Sequence, residues 1–135
     1  MPNVEHRTLR IATALVAACA APVIVTDARA DSYPQRSIRL IVPFPPGGQT
    51  DNVSRHLGNA LTGRLGQQVV IENRSGAAGT IGTAEAARAP ADGYTVVMGT
   101  ASSHAINPTF MTRIPYDAVK DFAPIIAIAT GPMTI

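Results

Sequence analysis

Residues 37–44, Ser-Ile-Arg-Leu-Ile-Val-Pro-Phe, form a nearly unbroken apolar, β-branched run, the pattern of a strand covered on both faces. Such a strand needs a layer above it and a layer below it, and helices are the usual cover. The following residues supply the first. Pro45-Pro46-Gly47-Gly48 break the strand. Thr50 or Asp51 then offers a side-chain oxygen to cap the free N–H groups of a helix start. Val53, Leu57, Ala60, Leu61 and Leu65 recur at helical spacing, and Gly66 stands where a C-terminal glycine belongs.

The alternation continues. Gln68 to Asn73 reads as a second strand, and Ser75 to Gly82 as a glycine-rich turn. Ala84 to Ala89 continues as a short helix that Pro90 stops. Ala91-Asp92-Gly93 turns the chain into a third strand, Tyr94 to Gly99. A polar loop follows from Thr100 to Asn107, then one helical turn over Pro108 to Met111. Ile114-Pro115-Tyr116-Asp117 reads as a linker, and Phe122 to Ala129 as a fourth, apolar strand. Strands alternating with helices predict an α/β fold with a parallel sheet and right-handed crossovers. In such sheets ligands bind beyond the carboxyl ends of the strands. The loops that matter most are therefore Phe44 to Asp51 and Thr100 to Asn107.

The start of the chain reads as an export signal. Arg7 and Arg10 form a positive region, Ile11 to Val25 is almost wholly apolar, and Ala28-Arg29-Ala30 places small residues before a cut at Asp31. This stretch of 15 residues falls short of the ~20 a bilayer span needs. Cys19 sits in a lipoprotein-like Val16-Ala17-Ala18-Cys19, but the apolar run continues through Pro22-Val23-Ile24-Val25, where a lipidated cysteine would carry a polar tether. The expectation is a signal over 1–30, cleaved after Ala30, and a periplasmic α/β chain over 31–135. Without Met1 to Ala30, which carries Arg7, Arg10, Arg29, Glu5 and Asp27, the 11 basic and 9 acidic residues become 8 and 7. That balance gives no nucleic-acid face. Arg36 and Arg39, flanking the first strand, read as two solvated arginines. Cys19 is the sole cysteine, so the mature chain has no disulfide or thiol chemistry.

The residues bear on three chemistries. Glu72 ends the second strand where a ribose-binding acid sits in a dinucleotide fold. The first loop, however, lacks the G-x-G-x-x-G spacing, and Asp51 puts a negative charge at the helix start. Hydrolysis fails as well. Ser102, Ser103 and His104 are adjacent, which does not align a base with a nucleophile, and no G-x-S-x-G elbow or H-E-x-x-H pair is present. His56 reads as a surface residue. The third chemistry is capture of a small anion by free N–H groups behind Gly47-Gly48, with hydroxyls from Thr50, Thr100, Ser102 and Ser103. Pattern alone leaves it open against a glycine pair that only turns the chain. Asp51 opposes a bare anion unless it caps the helix or receives a ligand amine. No cofactor or metal is implied.

The stretch from Tyr33 to Asp51, with Leu40-Ile41-Val42-Pro43-Phe44-Pro45-Pro46-Gly47-Gly48 at its centre, resembles the opening of the Bug family. These are substrate-binding proteins of tripartite tricarboxylate transporters. Further resemblances follow in the family's order: Leu65 to Arg74 with its glycine turn, Ala91-Asp92-Gly93-Tyr94, Ala105-Ile106-Asn107-Pro108, and Pro115-Tyr116-Asp117 with Lys120-Asp121-Phe122-Ala123-Pro124. The resemblance runs from Tyr33 to Pro132. It implies a type II periplasmic binding protein fold, two α/β lobes closing on a small carboxylate that is handed to membrane permease subunits. It also implies a ligand held by Phe44, Gly47, Gly48, Thr50 and Asp51 from the first loop. The second loop would add Thr100, Ala101, Ser102, Ser103 and His104, with Asn107 beside them. Gln49 stands where the family often has Ser or Ala, which alters the pocket.

Family members are about twice this length or more. The expectation is thus an incomplete first lobe, with the second lobe absent, a monomer that binds ligand weakly through a half-site. An α/β enzyme acting on a small carboxylate and a ligand-sensing module for a membrane signalling partner are the alternative readings. Which carboxylate is bound is not written in these residues.

Overall fold

The computed structural model describes residues 33–130. The signal and lipidation readings, on residues 1–30, lie outside the described residues. The first strand forms over Ile38–Val42 (β1), and a 17-residue helix, Gln49–Leu65 (α1), follows it. Then come Val69–Asn73 (β2), a short 3-10 turn at Ala77–Gly79, Thr80–Ala87 (α2) and Thr95–Val97 (β3). A π-helical turn, Ser102–Ile106, runs into the four-residue Asn107–Phe110 (α3). The three strands form a sheet of order β2-β1-β3, and both pairings are parallel. The alternation of strands and helices therefore gives the parallel α/β sheet it predicts, with β1 at the centre because it is the strand most completely buried.

Register assigns the two faces. Ile38 pairs with Val69, Leu40 with Ile71, Val42 with Asn73, and Leu40 with Val96. Side chains alternate along a strand, so Ile38, Leu40 and Val42 share one face with Val69, Ile71 and Val96. This face, closed by Met98, Leu57 and Leu61, is the hydrophobic core. Helix α1 lies very close to it. A β-carbon on Gly58 would stand 2.9 Å from Ile71 Cδ1, so a larger residue there would have to turn that side-chain end aside. The opposite face carries Arg39, Ile41 and Glu72 under α2. There Arg39 donates two bonds of 2.8 Å to the Glu72 carboxylate and one of 3.0 Å to Glu85. Arg74 reaches the same two acids at 3.1 and 3.3 Å. Hydrogen bonding from Arg39 holds the Glu72 carboxyl below its ordinary range. The acid at the ribose position is thus committed to an ion-pair network. Arg39 is a member of that network rather than a solvated side chain. Arg36 pairs with Asp92 at 2.7 Å and lies over the Tyr94 ring at 4.2 Å.

Several sequence expectations need correction. Helix α1 is capped by Gly48, with no side-chain cap bond, instead of Thr50 or Asp51. Its buried positions are Asp51, Ser54 and Gly58, while Ala60 and Leu65 of the expected stripe face solvent. The close approach at Gly58 rotates a small, polar strip onto the sheet and leaves Leu57 and Leu61 to flank it. Gly66, with φ of 69°, does close the helix and donates to Thr62 O. Helix α2 starts at Thr80, inside the expected turn, and the expected loop after β3 is largely helical. Phe122 to Ala129 forms no strand. It pairs with nothing among the described residues, and Ile125 is 80% exposed. Apolar character suits a strand but does not provide the neighbour whose backbone must pair with it.

Candidate functional site

Three connections leave the carboxyl edge of the sheet: 43–48 after β1, 74–79 after β2, and 98–106 after β3. The first turns through Gly47, at φ of 83°, an angle that favours glycine. It is braced by Asp51, which is 2% exposed. Asp51 Oδ2 accepts from Gly47 N–H at 2.8 Å and from Arg55 Nε at 2.9 Å, one helical turn away. Its Oδ1 accepts from Asn73 Nδ2 at 2.8 Å. Asn73, at the end of β2, also donates to Phe44 O at 3.1 Å and accepts from Arg55 Nη2 at 3.1 Å. The Asp51 carboxyl is accordingly lowered to about 2, first by Arg55 and then by Gly47 N–H and Asn73.

This brace answers the objection that Asp51 raised. Its charge is paired with Arg55, and its oxygens are taken by the loop it shapes. Gly47, Gly48 and Gln49 are exposed, and no side chain caps the helix start. The first N–H groups of a helix have no intrahelical partner, so α1 presents donors and the positive end of its dipole at this edge. Thr50 is half-buried, and its carbonyl accepts from Ser54 Oγ at 2.7 Å. The half-buried Phe44 lies against Gly79, where a β-carbon would stand 3.2 Å from Phe44 Cζ.

The connection after β3 is held by hydroxyls. Thr100 N–H donates to Ser103 Oγ at 3.0 Å, and Ser103 N–H donates to Thr100 Oγ1 at 3.3 Å. This reciprocal pair has the form of a capping box. Ser103 is fully buried. Its Oγ also lies 2.8 Å from His104 Nδ1, and its carbonyl accepts from Tyr116 Oη at 2.6 Å. The His104 ring packs edge-on against Phe122 at 4.9 Å and near Tyr116 at 6.4 Å. Burial lowers its pKa below the ordinary histidine value, which favours neutral imidazole. Ala101 is exposed and Ser102 half-buried. Asn107 is buried; its Nδ2 donates to Ala78 O at 2.9 Å and to Thr80 Oγ1 at 3.3 Å.

The structure thus sorts the expected residues. Gly47, Gly48 and Ala101 lie open on the carboxyl edge, with Phe44, Thr50, Thr100 and Ser102 half-buried beside them. Asp51 and Ser103 point into the braces, and His104 is set among aromatic rings. Sequence reasoning missed Asn73, Arg55 and Tyr116. The i,i+4 spacing of Asp51 and Arg55 was a readable signal. Tyr116, read as part of a linker, is a buried anchor 13 positions from the carbonyl it binds, and no local pattern announces that. His56 is exposed, with Nδ1 2.8 Å from Asn52 O. Two surface hollows of about 270 Å³ each lie between α1 and β2 and at the amino ends of β1 and β3; neither is lined by residues of the expected site. Among the described residues no cluster of His, Cys, Asp and Glu is arranged for a metal, and no helix is long and apolar enough to cross a membrane.

Comparison with known proteins gives the family. Residues 53–135 match the model of the TctC family, the tripartite tricarboxylate transporter family receptor. Protein BugT of Bordetella pertussis is 43% identical over 113 residues, covering 83% of this chain and 35% of its own length. Among solved structures, Rpa4515 of R. palustris with adipate is 43% identical with a TM-score of 0.70, covering 72% of this chain and 32% of that one. MatC (Rpa3494) from Rhodopseudomonas palustris with bound malate is 36% identical with a TM-score of 0.66, covering 68% and 31%. The chain spans about a third of the length of these relatives. With a parallel sheet whose two braced connections reach one edge, and a family match over most of its described residues, this chain belongs to the tripartite tricarboxylate transporter family of receptors.

Proposed function

We propose that the protein is an extracytoplasmic solute-binding receptor that captures a small carboxylate for a tripartite transporter and passes it to the membrane permease subunits. The observation that carries this reading is the start of α1: exposed, uncapped N–H groups behind Gly47-Gly48, with the local acid neutralised by Arg55. The ligand class follows from relatives that hold adipate and malate. In this reading Gly48 and Thr50 donate to the carboxylate, Phe44 walls it, and Thr100, Ala101 and Ser102 approach from the other connection. Gly47, Asp51, Ser103 and His104 keep the two connections in place. The family is one of receptors, and the Ser103 hydroxyl that lies 2.8 Å from His104 Nδ1 is fully buried and engaged by Thr100, so it is not presented to a ligand as a nucleophile.

An NMR titration of the chain with malate and with adipate tests this, because it registers weak binding by an open half-site. The expected result is saturable movement of the Gly48–Asp51 and Thr100–Ser102 amides. If neither group of amides moves up to about 10 mM, a range corresponding to less than 3 kcal/mol of binding, the carboxylate reading fails. We further place residues 1–30 as an export signal cut after Ala30, giving a monomeric periplasmic chain with Cys19 unlipidated. The intact mass of the exported protein decides it: the mass of a chain starting at Asp31 is expected, and a lipidated Cys19 terminus would overturn it.

A further inference from the structure

We infer that Asn107 is a positioning residue of the ligand site, acting through a strained connection after β2 that forms the site's third wall. The inference rests on the carboxylate reading above. Gly76, Ala77, Ala78 and Gly79 have φ of 136°, 46°, 54° and 91°. Ala77 and Ala78 are the only non-glycine residues with positive φ among the described residues. Side chains rarely adopt that region, and such strain persists only where neighbours over-determine it. Glycines stand on either side, so the two alanines carry strain at positions where glycine would be free of it.

The turn carries its own bonds, from Gly79 N–H to Gly76 O at 3.0 Å and from Thr80 N–H to Ala77 O, and neighbours from the two other connections hold it from outside. Asn107 is 4% exposed. Its amide donates to Ala78 O at 2.9 Å and to Thr80 Oγ1 at 3.3 Å, tying the end of the π-helical turn to the start of α2. From the other side Phe44 packs on Gly79 so closely that a β-carbon would stand 3.2 Å from its ring. Ala77 and Ala78 themselves are exposed. The connection after β2 is therefore gripped by one residue from each expected binding loop, and it presents its strained residues at the same edge. Release of Asn107 frees the Ala78 carbonyl, relaxes the two alanines and withdraws the support beneath Phe44.

The test follows Ala77, Ala78 and Gly79 amides in the same malate and adipate titrations, together with their HN–Hα couplings. In the parent protein these amides move with the two expected loops. Asn107→Ala weakens the apparent affinity about tenfold, equal to 1.4 kcal/mol, and shifts the couplings of Ala77 and Ala78 toward negative φ. Adding Ala78→Gly to Asn107→Ala recovers most of the affinity, because glycine holds positive φ without the latch; a purely structural loss would not be rescued this way. Movement confined to Gly48–Asp51 and Thr100–Ser102, or an Asn107→Ala variant that is folded and binds as the parent does, overturns the inference and leaves the receptor reading intact. Absence of movement in every loop overturns the receptor reading and, with it, the binding role of Asn107. The couplings then report separately whether the latch exists.

Discussion

The connections after β1 and after β3 reach the same edge of the sheet, from adjacent strands, and are braced by opposite chemistry. The first is ionic: one buried carboxylate gathers Gly47 N–H, Arg55 and Asn73. The second is neutral: Thr100, Ser103 and Tyr116 share hydroxyls and a carbonyl, with an uncharged imidazole beside them. The difference suits what each contributes. The first connection contains the uncapped helix start, so a nearby acid is tolerable only if paired; Arg55 lets the backbone stay tightly turned without repelling an anion. The second is held by uncharged groups and so does not alter the field of the first.

The largest effect that separates the two braces is expected from Asp51→Ala. It leaves Gly47 N–H, Asn73 and the Arg55 guanidinium without their common acceptor, and the melting midpoint falls by on the order of 10 °C. Both dicarboxylates lose affinity in proportion to the disorder of Gly47–Thr50. A midpoint within about 2 °C of the parent would mean that Asp51 is not the organising group. Tyr116→Phe comes next. It removes one hydroxyl from a buried carbonyl, worth about 1 kcal/mol, and thermal unfolding should show a drop of about 4–8 °C for a domain this small. Fluctuations measured by amide exchange should rise at Thr100–His104 and not at Gly47–Asp51. If exchange rises equally at both, the braces are one cooperative unit and the contrast dissolves.

Acid separates them in a different way. Folding lowers the Asp51 carboxyl to about 2, against 3.8 for the unperturbed group. A depressed carboxylate contributes stability that is present above the unperturbed value and is lost as pH falls from about 4 toward about 2. Unfolding followed against pH should steepen in that window, and Asp51→Asn should flatten it. An unchanged slope in the variant would assign the acid transition to other carboxylates, such as Glu72 or Asp117, which are also lowered.

How much of this was readable beforehand differs between the sheet and its edge. The three paired strands, their parallel direction and the close of α1 at Gly66 follow from local pattern: apolar runs, glycine breaks and helical spacing. The two connections expected to hold a ligand follow from topology alone. The braces do not, because their members meet only after folding: Asn73 reaches Asp51 across 22 positions, and Asn107 reaches Ala78 across 29. Phe122 to Ala129 shows the converse. Its composition is that of a strand, yet a strand is a pairing, and pairing is not a property of one segment. The polar residues of Thr100–Asn107 have the pattern of a loop; Thr100 and Ser103 turn that polarity inward and start a helix with it.

The smallest expected effect concerns His104. Burial lowers its pKa below the ordinary histidine value, which favours the neutral ring in the folded protein. Its sign is that of a group that folds with fewer protons. The unfolded chain binds a proton first as pH drops below about 6.5, so the stability His104 allows is full above that value and declines beneath it. The ring is only partly buried, so solvent screens the cost and the decline is shallow. His104→Gln keeps a polar side chain near Ser103 Oγ and cannot titrate. It should flatten the shallow decline of the melting midpoint between pH 7 and pH 5, leaving the lower, Asp51-dependent window untouched. If the variant instead shifts malate affinity between those two pH values, His104 is part of the electrostatics of the bound anion, and the second connection is not the neutral partner that its hydrogen bonds describe.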